Sequence, residues 1–191
     1  ARRLVGSSGL DRAFFCNSGA EANEAAIKLA RKRGKAVKGP DCHEVLVAEH
    51  SFHGRTLATV AATGNPRYQA GFEPMPAGFR FVPFNDVAAM RNAVGSATAA
   101  ILVEPIQGEG GVIVPSPGYL AGLRALCDEA NILLVLDEVQ TGIGRTGRMF
   151  AYQSAGIRPD VVTLAKGVAG GVPAGVVLAT EEAASHFVPG D

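Results

Sequence analysis

Two side chains that follow apolar segments have types that could do chemistry together. Lys166 follows the run PDVVTLA and opens a glycine-rich turn. Because it emerges from a buried strand, we expect it to lie deep in the protein, where lysines are rare, and a neutral lysine amine can attack an aldehyde to form a Schiff base. Asp137 ends the run ILLVL, where an ionised carboxylate needs a positive partner or several hydrogen bonds. The pair predicts a site for a carbonyl compound with a protonated ring nitrogen. Taken singly, Asp137 could instead cap the next loop and Lys166 could extend to solvent.

The tetrad DEVQ places two more side chains relative to Asp137. If the alternation of a strand continues through it, Asp137 and Val139 face one side and Glu138 faces the other. A carboxylate beside a flat apolar contact suits the underside of an aromatic cofactor. We therefore expect Asp137 and Val139 to line one wall of the site.

The segment Ser18-Gly19-Ala20-Glu21 opens a helix-period stretch. Ser18 and Glu21 fit the S-x-x-E capping box, and the glycine lets backbone N–H groups approach an anion closely. The segment predicts a phosphate site, and the alternative is a well-capped helix without a ligand.

The stretch from His50 to Thr56, HSFHGRT, offers an aromatic face, two imidazoles and a guanidinium. Arg55 could hold a carboxylate through two parallel hydrogen bonds. A zinc site is the alternative, because Cys42, His43, His50 and His53 lie close in sequence, but their spacing fits no common zinc motif.

A rival function comes from Gly142 to Gly147, GIGRTG, which matches the G-x-G-x-x-G dinucleotide fingerprint. The fingerprint expects its first glycine directly after the strand and an acidic residue about 20 positions later. Here five residues intervene after the strand and Asp160 comes too early. We therefore rank a nicotinamide-dependent dehydrogenase behind the Schiff-base interpretation.

Short apolar runs alternate with helix-period segments along the whole chain. We predict strands over 13–17, 43–49, 99–104, 131–138, 159–164 and 174–179, and helices over 20–33 and 117–130. Several runs are apolar on both faces, as buried parallel strands are. The pattern predicts one α/β domain with a mainly parallel sheet flanked by helices, whose ligands bind beyond the carboxyl ends of the strands.

Composition excludes several classes of partner. The 191 residues carry 18 Lys plus Arg against 18 Asp plus Glu, so no basic surface is expected for nucleic acid. The apolar runs are strand-length, far below the ~20 residues of a membrane helix.

Three scattered cysteines indicate reduced thiols in a cytoplasmic protein. The chain lacks an initiator Met and ends in turn-like residues, so we expect a fragment.

Five segments together resemble the class-III aminotransferases, pyridoxal-phosphate enzymes that act on ω-amino groups. They are SGAEANEAAIKLAR (18–31), HSFHGRTLATVAATG (50–64), VEPIQGEGGV (103–112), LDEVQTGIGRTG (136–147) and TLAKG (163–167). Their order and spacing match the family over nearly the whole chain, including the 29 positions from Asp137 to Lys166. A catalytically inactive oligomerising domain of the same fold is the remaining alternative.

The resemblance implies a cofactor, pyridoxal 5′-phosphate (PLP), and a role for each matching residue. Lys166 would form the Schiff base, Asp137 would pair with the ring nitrogen, and Gln140 would approach the ring hydroxyl. The other expected cofactor contacts are a ring sandwich from Phe52 and Val139 and a phosphate site from Ser18, Gly19 and Ala20.

The resemblance also assigns two substrate residues. Arg55 matches an arginine that receives a substrate carboxylate. Glu109 matches a glutamate that gates a second arginine in ornithine-type relatives, and that second arginine is absent from this chain.

Further implications concern the whole enzyme. Residues 1–191 would be the large PLP-binding domain of a fold-type I enzyme, without its amino-terminal segment and carboxyl-terminal small domain. The enzyme would be a cytoplasmic homodimer whose phosphate site is completed across the interface by a threonine in a T-F-G-G-N-P-like segment just beyond residue 191.

The implied reaction moves the terminal amino group of N-acetylornithine to 2-oxoglutarate in arginine biosynthesis. N-succinylornithine, N-succinyl-diaminopimelate, ornithine and 4-aminobutyrate remain alternative donors.

Overall fold

A seven-stranded sheet organises residues 1–191, all of which the computed structural model describes. The strands are β1 (Arg12–Cys16), β2 (Glu44–Ala48), β3 (Phe79–Val82), β4 (Thr98–Val103), β5 (Leu133–Asp137), β6 (Val161–Leu164) and β7 (Gly175–Ala179), in the spatial order β1-β7-β6-β5-β4-β2-β3. From β3 to β6 all neighbours are parallel. This arrangement confirms the predicted mainly parallel α/β class.

Strand β7 is the exception, because it runs antiparallel to both β6 and β1. The connection from Leu164 to Gly175 is shorter than the dozen or so residues that a parallel crossover needs. The chain therefore turns back directly after β6, and the turn contains Lys166.

Strand β3 was not predicted. Its sequence FRFV is short and lies at the sheet edge, with Phe81 exposed and Arg80 paired to Glu44 of the neighbouring strand, Nη2 to Oε1 at 2.9 Å. An edge strand that mixes aromatic and charged residues lacks the continuous apolar run by which the other six strands were identified.

Helices cover both faces of the sheet. They are α1 (Arg2–Ser8), α2 (Gly19–Lys38), α3 (Leu57–Ala61), α4 (Val87–Ala93), α5 (Tyr119–Ala130) and α6 (Glu181–Ala184), with 3₁₀ turns at Pro66–Tyr68, Ala151–Ala155 and Lys166–Ala169. The predicted helices correspond to α2, which extends five residues further, and to α5. None of the helices combines the length and the apolar character needed to cross a membrane.

Two apolar cores lie on opposite faces of the sheet, and β5 contributes to both. Leu134 and Leu136 join the core under α5, while Leu133 and Val135 join the core under α2. Each fully buried side chain of this size stabilises the fold by roughly 1.5–3 kcal/mol. The double burial fixes β5 firmly, so the residues at its carboxyl end have a rigid support. The three cysteines are free thiols, Cys42 and Cys127 buried and Cys16 half-buried.

Candidate active site

A cavity of about 440 Å³ opens at the carboxyl edge of the parallel strands. The loops after β2, β5 and β6 and the start of α2 form its walls, as expected for an open α/β sheet. Nine residues singled out from the sequence line it, namely Ser18, Gly19, Ala20, Phe52, Arg55, Asp137, Val139, Gln140 and Lys166. The structure thus brings together every predicted cofactor contact and Arg55, and the role of each remains a prediction.

The start of α2 has the predicted cap. Ser18 Oγ accepts the N–H of Glu21 at 3.1 Å. The Glu21 carboxylate accepts the N–H of Asn17 at 2.6 Å, one residue before the usual capping-box partner. Gly19 and Ala20 supply N–H groups that no helical carbonyl satisfies, at the positive end of a 20-residue helix. This end of the cavity suits an anion.

Gly19 is required by close packing against the cavity floor. A Cβ atom added there would lie 3.0 Å from Val139 Cγ2 and 3.3 Å from Ala165 Cβ. The helix can begin this close to the ends of β5 and β6 only because the residue has no side chain.

The Asp137 carboxylate is surrounded by hydrogen-bond donors from three segments. It is 3% exposed, and its Oδ2 accepts Asn23 Nδ2 at 2.7 Å and lies 2.8 Å from His53 Nδ1. Its Oδ1 accepts the N–H of Val139 at 3.0 Å. An ionised carboxylate only accepts hydrogen bonds, so in this contact an ionised Asp137 requires a proton on His53 Nδ1. These contacts fix the orientation of the carboxylate toward the cavity.

Strand alternation does not continue through DEVQ as expected. β5 ends at Asp137 and the chain turns at Val139, which donates back to the aspartate side chain. Even so, Asp137 and Val139 both line the cavity, while Glu138 faces away. Its two carboxylate oxygens accept the N–H groups of Ala151 and Tyr152 at 2.8 and 2.9 Å. Burial raises the pKa of the Glu138 carboxyl.

The sequence analysis did not identify Asn23 and Thr163. Asn23 donates a hydrogen bond to Asp137, and Thr163 in turn holds Asn23. Thr163 Oγ1 donates to Asn23 Oδ1 at 2.7 Å, and Asn23 Nδ2 also donates to the His53 carbonyl at 2.7 Å. The available signal was the position of Asn23, a polar residue within the apolar stripe of α2, where it is 1% exposed. A buried polar side chain in such a stripe needs partners.

His53 takes part in this network, and the structure does not bring the residues considered for a zinc site together. His53 is fully buried, and its Nε2 atom has no partner within the chain. No group of three or more His, Cys, Asp or Glu side chains could hold a metal ion. Cys42, one of the four residues considered, instead donates its thiol to the Thr98 carbonyl at 3.2 Å.

Glu104 is a third residue at the site that was not predicted. It follows β4, lines the cavity and is 3% exposed. Its Oε2 accepts the N–H of Phe52 at 3.0 Å and its Oε1 accepts the N–H of Gly108 at 3.1 Å. Burial raises the pKa of the Glu104 carboxyl, although nearby His53 opposes the shift. Glu104 therefore ties the Phe52 loop to the end of β4.

Lys166 stands at the cavity rim, and the expectation that it would be deeply buried is wrong. Ala165, directly after β6, is buried, but Lys166 is exposed in the first turn of the 3₁₀ segment. Its backbone is left-handed, with φ 47°. The side chain lines both this cavity and a neighbouring one that shares Val139 and Gln140. Exposure at the rim leaves the amine accessible.

The two predicted substrate residues differ in placement. Arg55 lines the cavity, and its guanidinium carbon lies 4.1 Å from the ring centroid of Tyr68 and 5.5 Å from that of Phe52. Glu109 is exposed in the loop after β4 and lies outside the walls of both cavities. Its predicted gating role stays a prediction.

The segment GIGRTG lacks the structure of a dinucleotide site. Residues 141–150 form successive turns and bends, and the next regular element is the 3₁₀ turn Ala151–Ala155. The dinucleotide fingerprint requires its glycines to lead from a strand into a helix whose amino terminus meets the pyrophosphate. The segment therefore does not form the dinucleotide fingerprint on which the nicotinamide alternative was based.

Comparison with known proteins decides the family. The sequence profile described as aminotransferase class-III matches residues 1–191. The chain belongs to the class-III aminotransferases. This confirms the resemblance found in the sequence.

Curated relatives of this class-III chain align over its full length. The acetylornithine aminotransferase of Methanocaldococcus jannaschii is 56% identical over 191 residues, covering 100% of this chain and 48% of the relative. That of Myxococcus xanthus is 58% identical over 190 residues, covering 100% and 47%. The chain spans about half the length of the curated relatives it matches.

Solved structures agree with the class-III fold. The 2.3 Å crystal structure of the ornithine aminotransferase from Toxoplasma gondii ME49 superposes with a TM-score of 0.95 at 39% identity, covering 99% of this chain and 46% of that one. A second structure of the Toxoplasma gondii enzyme has PLP at partial occupancy in its active site, with the same TM-score and identity. The predicted fold-type I architecture is confirmed.

Proposed function

We propose that the protein transfers the terminal amino group of N-acetylornithine to 2-oxoglutarate with PLP, as a step of arginine biosynthesis. One observation carries the proposal: Lys166 and Asp137 line the same cavity, with Phe52 and Val139 beside them. Curated relatives at 56% and 58% identity, both acetylornithine aminotransferases, support the choice of substrate.

The residues present fit PLP. Asp137, with its fixed carboxylate, would pair with the ring nitrogen, and Gln140 would approach the ring hydroxyl. Phe52 and Val139 would contact the two ring faces. The unsatisfied N–H groups at the start of α2 would hold the phosphate, with the absent Cβ of Gly19 giving the close approach.

PLP supplies an electrophilic aldehyde and a conjugated ring that spreads the charge left when a proton leaves the substrate carbon. Lys166 Nζ would hold the cofactor covalently, give way to the donor amine, and then move that proton as a neutral amine. The Asp137 carboxylate would keep the proton on the ring nitrogen. Asn23 and His53 would orient that carboxylate through their hydrogen bonds.

Ornithine is the second candidate donor. The structural similarity to the Toxoplasma gondii ornithine aminotransferase favours it, because the TM-score is 0.95, but the sequence identity is only 39%. The higher identity to the acetylornithine aminotransferases places N-acetylornithine first. Arg55 would bind a substrate carboxylate with either donor, and Glu109 would have the gating role that the resemblance implies.

We further propose that residues 1–191 form the large PLP-binding domain of a homodimer that acts in the cytoplasm. The relatives, about twice as long as the match, support the domain assignment. Three thiols without a disulfide support a reducing compartment.

Borohydride reduction of the PLP-loaded protein, followed by peptide mapping, tests the covalent role of Lys166. We expect the reduced PLP adduct, which serves as the label, at Lys166 alone. We expect Lys166→Ala to abolish both this label and amino transfer. A label at Lys28 or Lys35 would refute the assignment.

Steady-state kinetics with N-acetylornithine, N-succinylornithine, N-succinyl-diaminopimelate, ornithine and 4-aminobutyrate then test the donor. We expect the highest kcat/KM with N-acetylornithine. A higher value with ornithine would replace the first candidate by the second.

A further inference from the structure

Arg55 lies against two aromatic rings at the cavity rim. Its guanidinium carbon is 4.1 Å from the centroid of Tyr68 and 5.5 Å from that of Phe52. The two rings meet edge to face, with centroids 5.6 Å apart and planes at 84°. We call Tyr68, Arg55 and Phe52 the rim stack. A guanidinium over an aromatic face is attracted by the negative potential of the ring.

No carboxylate of the chain neutralises Arg55. Some exposed arginines are paired, such as Arg12 with Glu181 at 2.5 Å and Arg158 with Asp11 at 2.9 Å, and others have no carboxylate partner. Arg55 differs from these others because it lines the cavity and lies against two aromatic rings. Arg55 forms no ion pair although it is exposed. Because a guanidinium stacks through its face and donates in its plane, contact with Tyr68 leaves the N–H groups free for a planar anion. The rim stack therefore holds a cation ready for a carboxylate.

Tyr68 is itself held in place by its own segment. It ends the 3₁₀ turn Pro66–Tyr68, whose first N–H groups are satisfied by Asn65, with Arg67 N donating to Asn65 Oδ1 at 3.1 Å. The next residue, Gln69, donates its side-chain amide to the carbonyls of Val60 and Thr63 at 3.3 and 3.1 Å. These bonds fasten the turn to α3 and the loop after it. The ring of Tyr68 thus offers a fixed surface, whereas Arg55 has a long flexible side chain.

We propose that Tyr68 is a positioning residue that orients Arg55 to receive the carboxylate of the substrate. The proposal rests on the proposed function in one respect, because it takes Arg55 as the substrate-binding arginine. The aromatic ring carries the effect, since it is the ring face that lies 4.1 Å from the guanidinium carbon of Arg55. Phe52 also lies near the Arg55 guanidinium and lines the cavity, so the rim stack joins the carboxylate site to the ring site of the cavity.

Calorimetric binding of glutarate, a dicarboxylate that cannot be transaminated, to the PLP-loaded protein tests the proposal. Tyr68→Leu removes the ring and should raise the Kd for glutarate about fivefold, the loss expected for one partly exposed cation–π contact. Tyr68→Phe keeps the ring and should leave the Kd within about twofold of wild type. In turnover, Tyr68→Leu should raise the KM for 2-oxoglutarate with little change in kcat.

Two controls separate positioning from a general structural role. Phe72→Leu removes an exposed aromatic ring from the same segment without touching Arg55 and should leave the Kd unchanged. The KM for 1,4-diaminobutane, an amine without a carboxylate, should be the same in wild type and Tyr68→Leu. Equal weakening by Tyr68→Leu and Tyr68→Phe, or a rise in the diamine KM with Tyr68→Leu, would overturn the proposal.

The binding experiment also distinguishes this inference from the proposed function. If the wild-type protein binds glutarate in the predicted order of variants but transfers no amino group, the proposed function fails and the role of Tyr68 stands. If the wild-type protein transfers amino groups but Tyr68→Leu binds glutarate normally, the proposed function stands and the role of Tyr68 fails.

Discussion

The Asp137 carboxylate depends on donors from distant parts of the sequence. Asn23 lies in α2, His53 lies in the loop after β2, and Val139 follows β5. Three donors satisfy both oxygens, so the side chain keeps one orientation in an apolar setting. The position of the negative charge is therefore fixed before any ligand enters the cavity.

Asp137→Asn tests whether turnover depends on the negative charge of the Asp137 carboxylate. An amide cannot hold a proton on a ring nitrogen, so we expect kcat to fall at least about a hundredfold, as for loss of a proton-directing group, with less effect on the KM for the amino donor. Steady-state kinetics of the PLP-loaded protein measure both constants. Asp128→Asn, at an exposed carboxylate in α5, is the matched control and should be inert. Unchanged turnover in Asp137→Asn would contradict the assignment.

The sequence predicted most of the residues at the cavity surface, but it missed Asn23 and Glu104, which also line the cavity. Lys166, Asp137 and Arg55 each follow a strand or open a loop, and the parallel topology brings such positions to one edge. Asn23, Thr163 and Glu104 act through burial and hydrogen bonds across elements, which local patterns do not contain, although Glu104 also follows a strand. The predicted deep burial of Lys166 was wrong because the strand ends before it and the turn carries it to the rim.

At the scale of elements, strand alternation and helix periodicity predicted the architecture well. Six predicted apolar runs, several of them apolar on both faces, became β1, β2, β4, β5, β6 and β7, and two apolar stripes became the buried faces of α2 and α5. The antiparallel direction of β7 was not predicted, because it depends on the length of the connection after β6. Edge strand β3 lacked any buried-strand signal.

The packing of α2 on the sheet makes a specific demand at Gly34. A Cβ atom there would lie 2.7 Å from Ala99 Cβ and 2.8 Å from the Cys42 carbonyl oxygen. In an exposed helix, Gly→Ala stabilises by about 1 kcal/mol. Here we expect Gly34→Ala to destabilise the protein by about 1–3 kcal/mol, because the helix must move away from the sheet.

Urea unfolding monitored by circular dichroism measures this change. Gly6→Ala in α1, where nothing lies within 4 Å of the added Cβ, is the opposite control and should be neutral or stabilising. A gain in stability from Gly34→Ala would show that α2 does not pack as closely as described.

At the scale of the whole molecule, the buried carboxyl of Glu104 makes stability depend on pH. Burial raises its pKa in the folded state, whereas in the unfolded chain a glutamate titrates near about 4.3. Between these two values the folded state binds more protons than the unfolded state. The free energy of unfolding therefore falls as pH rises through this window, by at most about 1.4 kcal/mol per pH unit from this group.

Glu104→Gln should remove the contribution of this carboxyl to the pH dependence of the free energy of unfolding. The amide accepts one fewer hydrogen bond from Phe52 and Gly108, so absolute stability falls at every pH, and the slope against pH is the diagnostic quantity. Urea midpoints from pH 4 upward, with exposed Glu129→Gln as control, measure the slope. Identical slopes in wild type and Glu104→Gln would show that Glu104 titrates normally.

The left-handed backbone of Lys166 creates a trade-off between the stability of the fold and the proposed chemistry of its amine. A non-glycine residue at φ 47° costs roughly 1 kcal/mol that a glycine would not. Selection for thermal stability alone would therefore favour glycine at position 166. Such variants would be more stable but would lack the reactive amine. The residue on which turnover is proposed to depend is thus one that folding alone would replace, and its retention would require continued demand for the product.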